Sequence, residues 1–367
     1  MRTVQPAIMI GSYGWDQDRL PRDEFDLRIG ELDRLMDANG WSAMLIHGDC
    51  EEHRLLAYYT NFVPRLRWAM ALLPRKGEPR LLISMSARDV PAMKLSTWIA
   101  DVRTGWDWGH FESWLKSLAD GSAIGTLGFD GISGTLFGAV ERSLGNRFDL
   151  RDASGELPRE RPLRPRELSL AQDGAALVKL AAATAAGAWR QGRGNEAALL
   201  AGERTARANA AQDVRTLVSL DGGRSLVPFQ GMLDARHDPF LAHIAVKESG
   251  FWAELFLTLA ERPSGVMAKA EAGLDAALAL MRPDADLRTL SAAALRTIAP
   301  LPLHPVLGGR VGRRIGLSLD EGEGIEPGSL WTLHVGAVDP VEGGAIASAM
   351  IAVAADGAHL LCRSRDV

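Results

Sequence analysis

Two consecutive stretches decide the fold of this chain: residues 308–325, GGRVGRRIGLSLDEGEGI, and residues 326–336, EPGSLWTLHVG. The first stretch predicts a glycine-rich turn, a short strand and an acidic loop, because glycine allows positive φ and close backbone approach. The second predicts a strand whose successive side chains point to opposite faces. His334 lies at the centre of that strand, on the same face as Thr332 and Gly336. A histidine in this position is either a satisfied core residue or part of a site.

Length and composition are those of an ordinary globular protein. The chain has 367 residues, of which 47% are apolar and 24% charged, so two domains with buried cores are expected. The net charge of -5 argues against nucleic acid as the main partner, because phosphate binding needs a basic face. No run of about 18 apolar residues occurs, so we expect no membrane partner. Cys50 and Cys362 lie far apart and form no motif, so a reducing cytoplasm is the expected location.

The first 155 residues predict an α/β layer. The helical spacing of Phe25, Ile29, Leu32 and Met36 indicates a helix. Short apolar runs between turn signals indicate strands, and strands that alternate with helices are typical of an α/β domain. The expected helices cover 24–39 and about 110–119, and the expected strands cover 41–47, 67–74, 80–84 and 123–130.

A linker and a second domain follow. Residues 156–166 hold three prolines and several charges, which is a linker composition. We therefore predict an N-terminal domain at 1–155 and a C-terminal domain at 167–367. Alanine enrichment after the linker indicates helix propensity and tight helix packing. The expected helices of this domain cover about 167–191, 195–211, 266–281 and 286–298, and its strands cover 214–220, 240–246, 251–259 and 346–353.

The strands on either side of Lys247-Glu-Ser-Gly250 predict a β-hairpin. A four-residue loop pairs Val246 with Phe251. The same register sets His243 opposite Glu254, so that both side chains point to one face of the sheet.

Four short motifs carry a resemblance to a known family. They are Gly250-Phe-Trp-Ala-Glu254 with Thr258, Gly312-Arg-Arg-Ile-Gly-Leu317, Glu326-Pro-Gly-Ser-Leu330 and Ala349-Met-Ile-Ala-Val-Ala-Ala-Asp-Gly357. With the order of elements in 160–365, they resemble the pita-bread fold of the creatinase, aminopeptidase P, prolidase and methionine aminopeptidase family. Residues 1–155 resemble the N-terminal domain of its creatinase-type members. The resemblance implies an α/β N-terminal creatinase-like domain, an α+β pita-bread C-terminal domain and a homodimer.

In the metal-dependent members of that family, two aspartates, a histidine and two glutamates surround two metal ions. None of these five ligands keeps its family identity here. Two adjacent cations need several carboxylates to neutralise them, and a guanidinium has no free lone pair for a metal. The resemblance therefore implies a scaffold without the usual binuclear centre. The five positions hold His243, Glu254, Arg313, His334 and Ser348.

Further candidates concern substrate binding. The resemblance places Asp320, followed by Glu321, where the family has a catalytic histidine. These carboxylates form either an acid/base pair at the rim of the site or a solvated acidic loop. Trp252 either packs in the core or forms a hydrophobic substrate wall. Ser348 could act as a nucleophile only with a base beside it, and a lone serine on a strand is usually inert.

Three interpretations of the central residues stay open. In a metal-free enzyme, Glu254 or a histidine acts as general base, and Arg313 or Arg314 clamps a substrate carboxylate. In a mononuclear metal enzyme, His243, Glu254 and His334 bind one divalent transition metal. In a silent binding protein, the buried residues satisfy one another.

We favour the metal-free interpretation. It predicts a creatinase-like hydrolase, without a cofactor, that cleaves a C–N bond in a small carboxylate- or amide-bearing metabolite. Glu254 and His334, with His243 beside them, would supply acid and base, and Arg313 would bind the anion. The expected partners are the small-molecule substrate and a second copy of the chain.

Overall fold

The computed structural model describes residues 14–64, 66–105, 108–116, 118, 121–145, 147–157 and 162–367. The chain divides into two compact units near residue 158. Residues 1–13 of the predicted N-terminal domain and 158–161 of the predicted linker lie outside the described residues. Within the described residues, none of the helices has the length and apolar character that a membrane crossing requires.

The first unit is an α/β layer built on a six-stranded mixed sheet. Its strands are β1 (Ala43–Asp49), β2 (Trp68–Pro74), β3 (Arg80–Ile83), β4 (Asp101–Thr104), β5 (Ala123–Leu127) and β6 (Asp149–Asp152), and its helices are α1 (Arg22–Asn39), α2 (Arg54–Thr60), α3 (Val90–Met93), α4 (Trp108–Leu115) and α5 (Gly134–Val140). The sheet has the order β4-β3-β2-β1-β5-β6. The predicted strands are confirmed as β1, β2, β3 and β5, whereas β4 and β6 are short and charged, and apolar patterning missed them.

The second unit carries two antiparallel sheets with helices packed on one face of each. Its helices are α6 (Pro165–Arg190), α7 (Asn195–Ala208), α8 (Gly265–Leu278) and α9 (Leu287–Ile298), and its strands are β7 (Asp213–Val218), β8 (Phe240–Glu248), β9 (Phe251–Leu259), β10 (Gly312–Ile315), β11 (Leu330–Asp339), β12 (Gly343–Ala354) and β13 (Gly357–Arg363). The sheet orders are β7-β8-β9 and β10-β11-β12-β13. The predicted helices and strands of this unit are present, and β13 was not predicted.

Small side chains let α6 and α7 approach each other closely. Ala181 and Ala185 of α6 and Ala198 of α7 are buried in one core with the outer face of β8 and β9. A Cβ added at Gly202 in α7 would lie 2.6 Å from the carbonyl oxygen of Ala181. This distance is far inside van der Waals contact, so the helix pair depends on a glycine at this position.

Gly202→Ala should therefore destabilise the protein by about 1–3 kcal/mol, the usual cost of overpacking a core. Gly187→Ala is the matched control, because a Cβ at this α6 position would meet nothing within 4 Å. There alanine should stabilise the protein by up to about 1 kcal/mol through its higher helix propensity. The two midpoints of chemical denaturation should move in opposite directions, and a shared direction would contradict this packing.

Two hydroxyls, the buried one of Ser348 and the half-buried one of Thr258, join the sheets of the second unit along β9 and β12. Ser348 Oγ donates to the carbonyl oxygen of Phe256 at 3.0 Å and accepts from its N–H at 2.8 Å. Thr258 Oγ1 makes the same pair of bonds with the backbone of Ile346, at 2.8 and 2.9 Å. These bonds hold the inner faces of the two sheets side by side.

The predicted register of the hairpin between β8 and β9 is wrong. The strands meet at a two-residue turn, Ser249-Gly250, so Glu248 pairs with Phe251. Both turn residues have positive φ, 47° and 91°, as a type I′ turn requires. His243 therefore pairs with Phe256 and lies diagonal to Glu254. A shift of two residues keeps every side chain on its face, so the side chains at 243 and 254 still meet.

Candidate active site

The candidate site lies on the inner faces of the two sheets in the second unit, opposite the faces that pack on helices. Alternation along β8 and β9 leaves Ile244 and Leu255 in the helix-packed core and turns the residues on either side of them inward. Alternation along β11 likewise leaves Leu333 in the core beneath α8 and α9. The side chains of the site are His243, Glu254, Phe256, Arg313, Thr332 and His334.

Glu254 is the centre of the site, fully buried and engaged through both carboxylate oxygens. Arg313 donates Nε–H to Oε1 at 2.9 Å and a second N–H, from Nη2, to Oε2, which makes a bidentate pair. His243 Nε2 lies 2.8 Å from Oε2 and donates to it, since an ionised carboxylate only accepts. Burial alone raises the pKa of Glu254, but the hydrogen bonds and charges of His243 and then Arg313 bring it down to about 2. Glu254 is therefore ionised at neutral pH and holds both partners in place.

Two polar atoms on the inner face of β11 have no hydrogen-bond partner in the described part of the chain, namely Thr332 Oγ1 and His334 Nδ1. The two residues are 0% and 4% exposed. Burial is the main cause that lowers the pKa of His334 to about 4; the charge of Glu254 opposes it, and those of Arg313 and His243 add to it. His334 is thus a neutral imidazole at neutral pH. Buried polar atoms in native proteins are normally hydrogen-bonded, so these two atoms are candidates for a contact with a bound molecule.

The ring of Phe256 forms an apolar wall between the two histidines. Its centroid lies 4.6 Å from that of His243 and 5.5 Å from that of His334. The backbone of Phe256 is fixed in turn by Ser348. The site therefore combines a buried ion pair, a neutral imidazole and an apolar surface, and such low-dielectric surroundings strengthen each polar interaction.

Arg314 and Ser348, both predicted to bind substrate, have structural contacts instead. Arg314 follows Arg313 in β10 and so points to the opposite face, where its Nη1 donates to Glu326 Oε2 at 2.8 Å. The Ser348 hydroxyl directs its proton at the carbonyl oxygen of Phe256. Neither group faces the buried network with a free donor.

The remaining predicted residues lie around the network rather than in it. Asp320 pairs with Arg310 at 2.6 Å, and both side chains are about half exposed, at 49% and 53%. Glu321 Oε1 accepts the Ser318 N–H at 2.9 Å, which closes the acidic loop on itself. Trp252 shares its face with the site and packs between two cations of β7 and β8, which lie 4.8 and 5.6 Å from its ring centroid.

The donor set does not fit the two-metal centre that the family resemblance would imply. Glu254 is the carboxylate of the network, and both its oxygens are taken by Arg313 and His243. The guanidinium already neutralises the charge that a cation would need. No group of three or more His, Cys, Asp or Glu side chains is arranged to hold a metal ion in the described ranges. The mononuclear set with His334 therefore has no geometric support either.

Sequence analysis did not place Thr332 and Phe256 in the site. Each lies two positions from a predicted site residue on the same strand, Thr332 before His334 and Phe256 after Glu254. Extending the period of two along each strand would have found both. That these two side chains belong to the site follows from their burial and their contacts with other strands, which the sequence of one strand does not show.

Comparisons with known proteins agree with this architecture. Residues 28–162 match the Creatinase/Prolidase N-terminal domain family. No curated protein matches the chain. Similar solved structures include a prolidase from Pyrococcus horikoshii (14% identity, TM-score 0.71, covering 91% of this chain and 97% of that one), an X-Pro aminopeptidase from Thermotoga maritima (17%, 0.72, 91% and 97%) and a variant of Escherichia coli aminopeptidase P (14%, 0.72, 94% and 95%).

Identities this low show a shared fold. The predicted resemblance to the creatinase, aminopeptidase P and prolidase family is confirmed by the domain match and by these structures. The predicted fold class, an α/β creatinase-like domain followed by a pita-bread domain, is confirmed with it.

Proposed function

Because this chain carries a creatinase/prolidase N-terminal domain and the pita-bread fold of prolidases and X-Pro aminopeptidases, we propose that it is a hydrolase. Its proposed substrate is a small carboxylate- or amide-bearing metabolite in which it cleaves a C–N bond. We further propose that it does so without a binuclear metal centre, since the one carboxylate of the network is already bound to a guanidinium.

The observation that carries this proposal is the neutral His334 imidazole, buried with a free Nδ1 beside the Glu254–Arg313 pair. A neutral imidazole accepts a proton from an attacking water and returns it to the leaving nitrogen as the C–N bond breaks. Between these two proton transfers His334 is an imidazolium, and the negative charge of Glu254 stabilises this charged form. Arg313 keeps N–H groups beyond the two that hold Glu254, and these can stabilise charge that develops on the substrate oxygen.

Glu254 takes a different role from the one predicted from sequence. Both its oxygens accept hydrogen bonds from His243 and Arg313, so neither is open to a proton of the substrate or of water. The proposal therefore gives Glu254 the task of fixing Arg313 and His243, and leaves the acid/base work to His334.

A catalytically silent binding protein is the second candidate, because the His243–Glu254–Arg313 network satisfies its own hydrogen bonds. In that case the site would bind a metabolite and leave it unchanged. A homodimer in the cytoplasm is proposed for either function, and the mass of the particle in solution by light scattering tests the dimer.

Amine release from a panel of N-acyl and carbamoyl amino acids and their amides should identify a substrate. His334→Gln should then lower kcat at least about a hundredfold, the usual contribution of a general base, and should keep the fold. Gly187→Ala, far from the network on α6, is the control and should keep full activity. Turnover should also survive chelation. Stoichiometric metal with activity lost on chelation would contradict the proposal, and an unaltered co-purifying metabolite without any turnover would favour the binding protein.

A further inference from the structure

Thr332 and His334 present a matched pair of unused hydrogen-bonding atoms to the same side of β11. Thr332 Oγ1 and His334 Nδ1 are both buried and both without a partner in the described part of the chain. Framework hydroxyls nearby are fully used, since Thr258 and Ser348 each donate one bond and accept another. The contrast separates a structural hydroxyl from one that is available to a ligand.

The position of the pair ties it to the proposed active site. Thr332 lies directly across the ladder from Arg313, and His334 lies across from Ser348 on the neighbouring strand. His334 also contacts the ring of Phe256 edge-on, and the same ring contacts His243. A group bound by the pair would therefore lie next to the buried ion pair.

The spacing of the pair fits one planar amide. Residues two apart on a strand are separated by about 6.6 Å. Two hydrogen bonds of about 2.9 Å that incline toward each other from the strand can end on the oxygen and the nitrogen of one amide O–C–N unit. The Thr332 hydroxyl can donate to the amide oxygen. His334 Nδ1 can accept from the amide N–H in the bound complex, and in the proposed reaction the attacking water replaces the amide N–H at this atom.

The charges of the site argue against a carboxylate at this point. The positive charge of Arg313 is already paired with Glu254, so an incoming carboxylate would bring a negative charge without a cation of its own. It would also approach the ionised Glu254, and like charges repel strongly in a low-dielectric site. A neutral polar group meets neither obstacle.

We propose that Thr332 is a specificity-determining residue and that, with His334, it binds a neutral amide or urea group of the ligand rather than a carboxylate. This inference rests on the proposed function and narrows its substrate class. It assigns to Thr332 a contact with the ligand, while the stability of the fold does not depend on its hydroxyl.

The test compares Thr332→Val and Thr332→Ser with the wild type, using N-acetylglycinamide and N-acetylglycine as matched neutral and anionic probes. Affinity is measured by ligand-observed NMR. The wild type and Thr332→Ser should bind the amide at least about tenfold more tightly than the acid, and Thr332→Val should lose about tenfold of the amide affinity, the loss typical of one hydrogen bond.

Thermal unfolding without probe supplies the second measurement. Thr332→Val should melt at or above the wild-type temperature, because it removes an unpaired buried hydroxyl. Thr258→Val is the matched control and should melt lower, because its hydroxyl makes two bonds. Lower melting of Thr332→Val by a similar amount, equal amide affinity in that variant, preference for the acid, or no binding of either probe would overturn the inference. Amide binding without turnover would leave it standing and contradict only the proposed hydrolysis.

Discussion

Replacing Arg313 with methionine should destabilise the protein by about 3–5 kcal/mol, the usual cost of leaving one partner of a buried ion pair alone. Glu254 is completely buried, whereas the Arg313 side chain is 27% exposed. The stability is lost because the buried Glu254 carboxylate stays charged without its guanidinium partner. His243 would remain as its hydrogen-bond donor. Urea denaturation at neutral pH measures the change.

Two further variants separate this effect from lost packing. Glu254→Gln combined with Arg313→Met should recover much of the stability, because the uncompensated buried charge is gone. Arg310→Met breaks an exposed pair with Asp320 and should cost less than about 1 kcal/mol. If Arg313→Met lowered the free energy of unfolding as little as Arg310→Met does, the buried ion pair would not be what stabilises the site.

Between pH 6.5 and 4 the protein should lose on the order of 3 kcal/mol of stability through His334 alone. Its pKa is lowered from 6.5 to about 4 in the folded state. The unfolded chain therefore binds a proton in this window that the folded chain does not, and stability falls as the pH falls. Above pH 6.5 both states are neutral, and the contribution is complete.

His334→Gln removes this titration and should flatten the loss across the same window. Free energies of unfolding from urea titrations at pH 7, 5.5 and 4 supply the measurement. His359→Gln changes an exposed ring and serves as the control, which should keep the steep wild-type loss. Glu254 adds a separate loss below about pH 4.5, because its pKa is lowered to about 2 in the folded state. If the free energy of unfolding of His334→Gln fell between pH 7 and 4 as steeply as that of the wild type, the His334 imidazole would be solvated in the folded protein.

Most of the fold followed from local patterns in the chain. Apolar spacing and turn signals predicted the major helices and strands within a few residues. Both the periodicity of apolar residues and the glycines and prolines of turns are local properties of the sequence. Strands β4, β6 and β13 were not predicted. β4 and β6 have four residues each and two or more charges, so apolar patterning does not reveal them. The hairpin register was wrong because Lys247 and Glu248 look like loop residues, although both are buried in β8.

The sequence by itself determined which residues share a strand face, including Thr332 with His334 and Phe256 with Glu254, since side chains alternate along any strand. Only the tertiary structure decided which faces meet. Arg313 reaches Glu254 across 59 positions of sequence, while its neighbour Arg314 turns away to Glu326. Partner choice of this kind depends on how two sheets pack, and so does the difference between a satisfied hydroxyl at Ser348 and an unsatisfied one at Thr332.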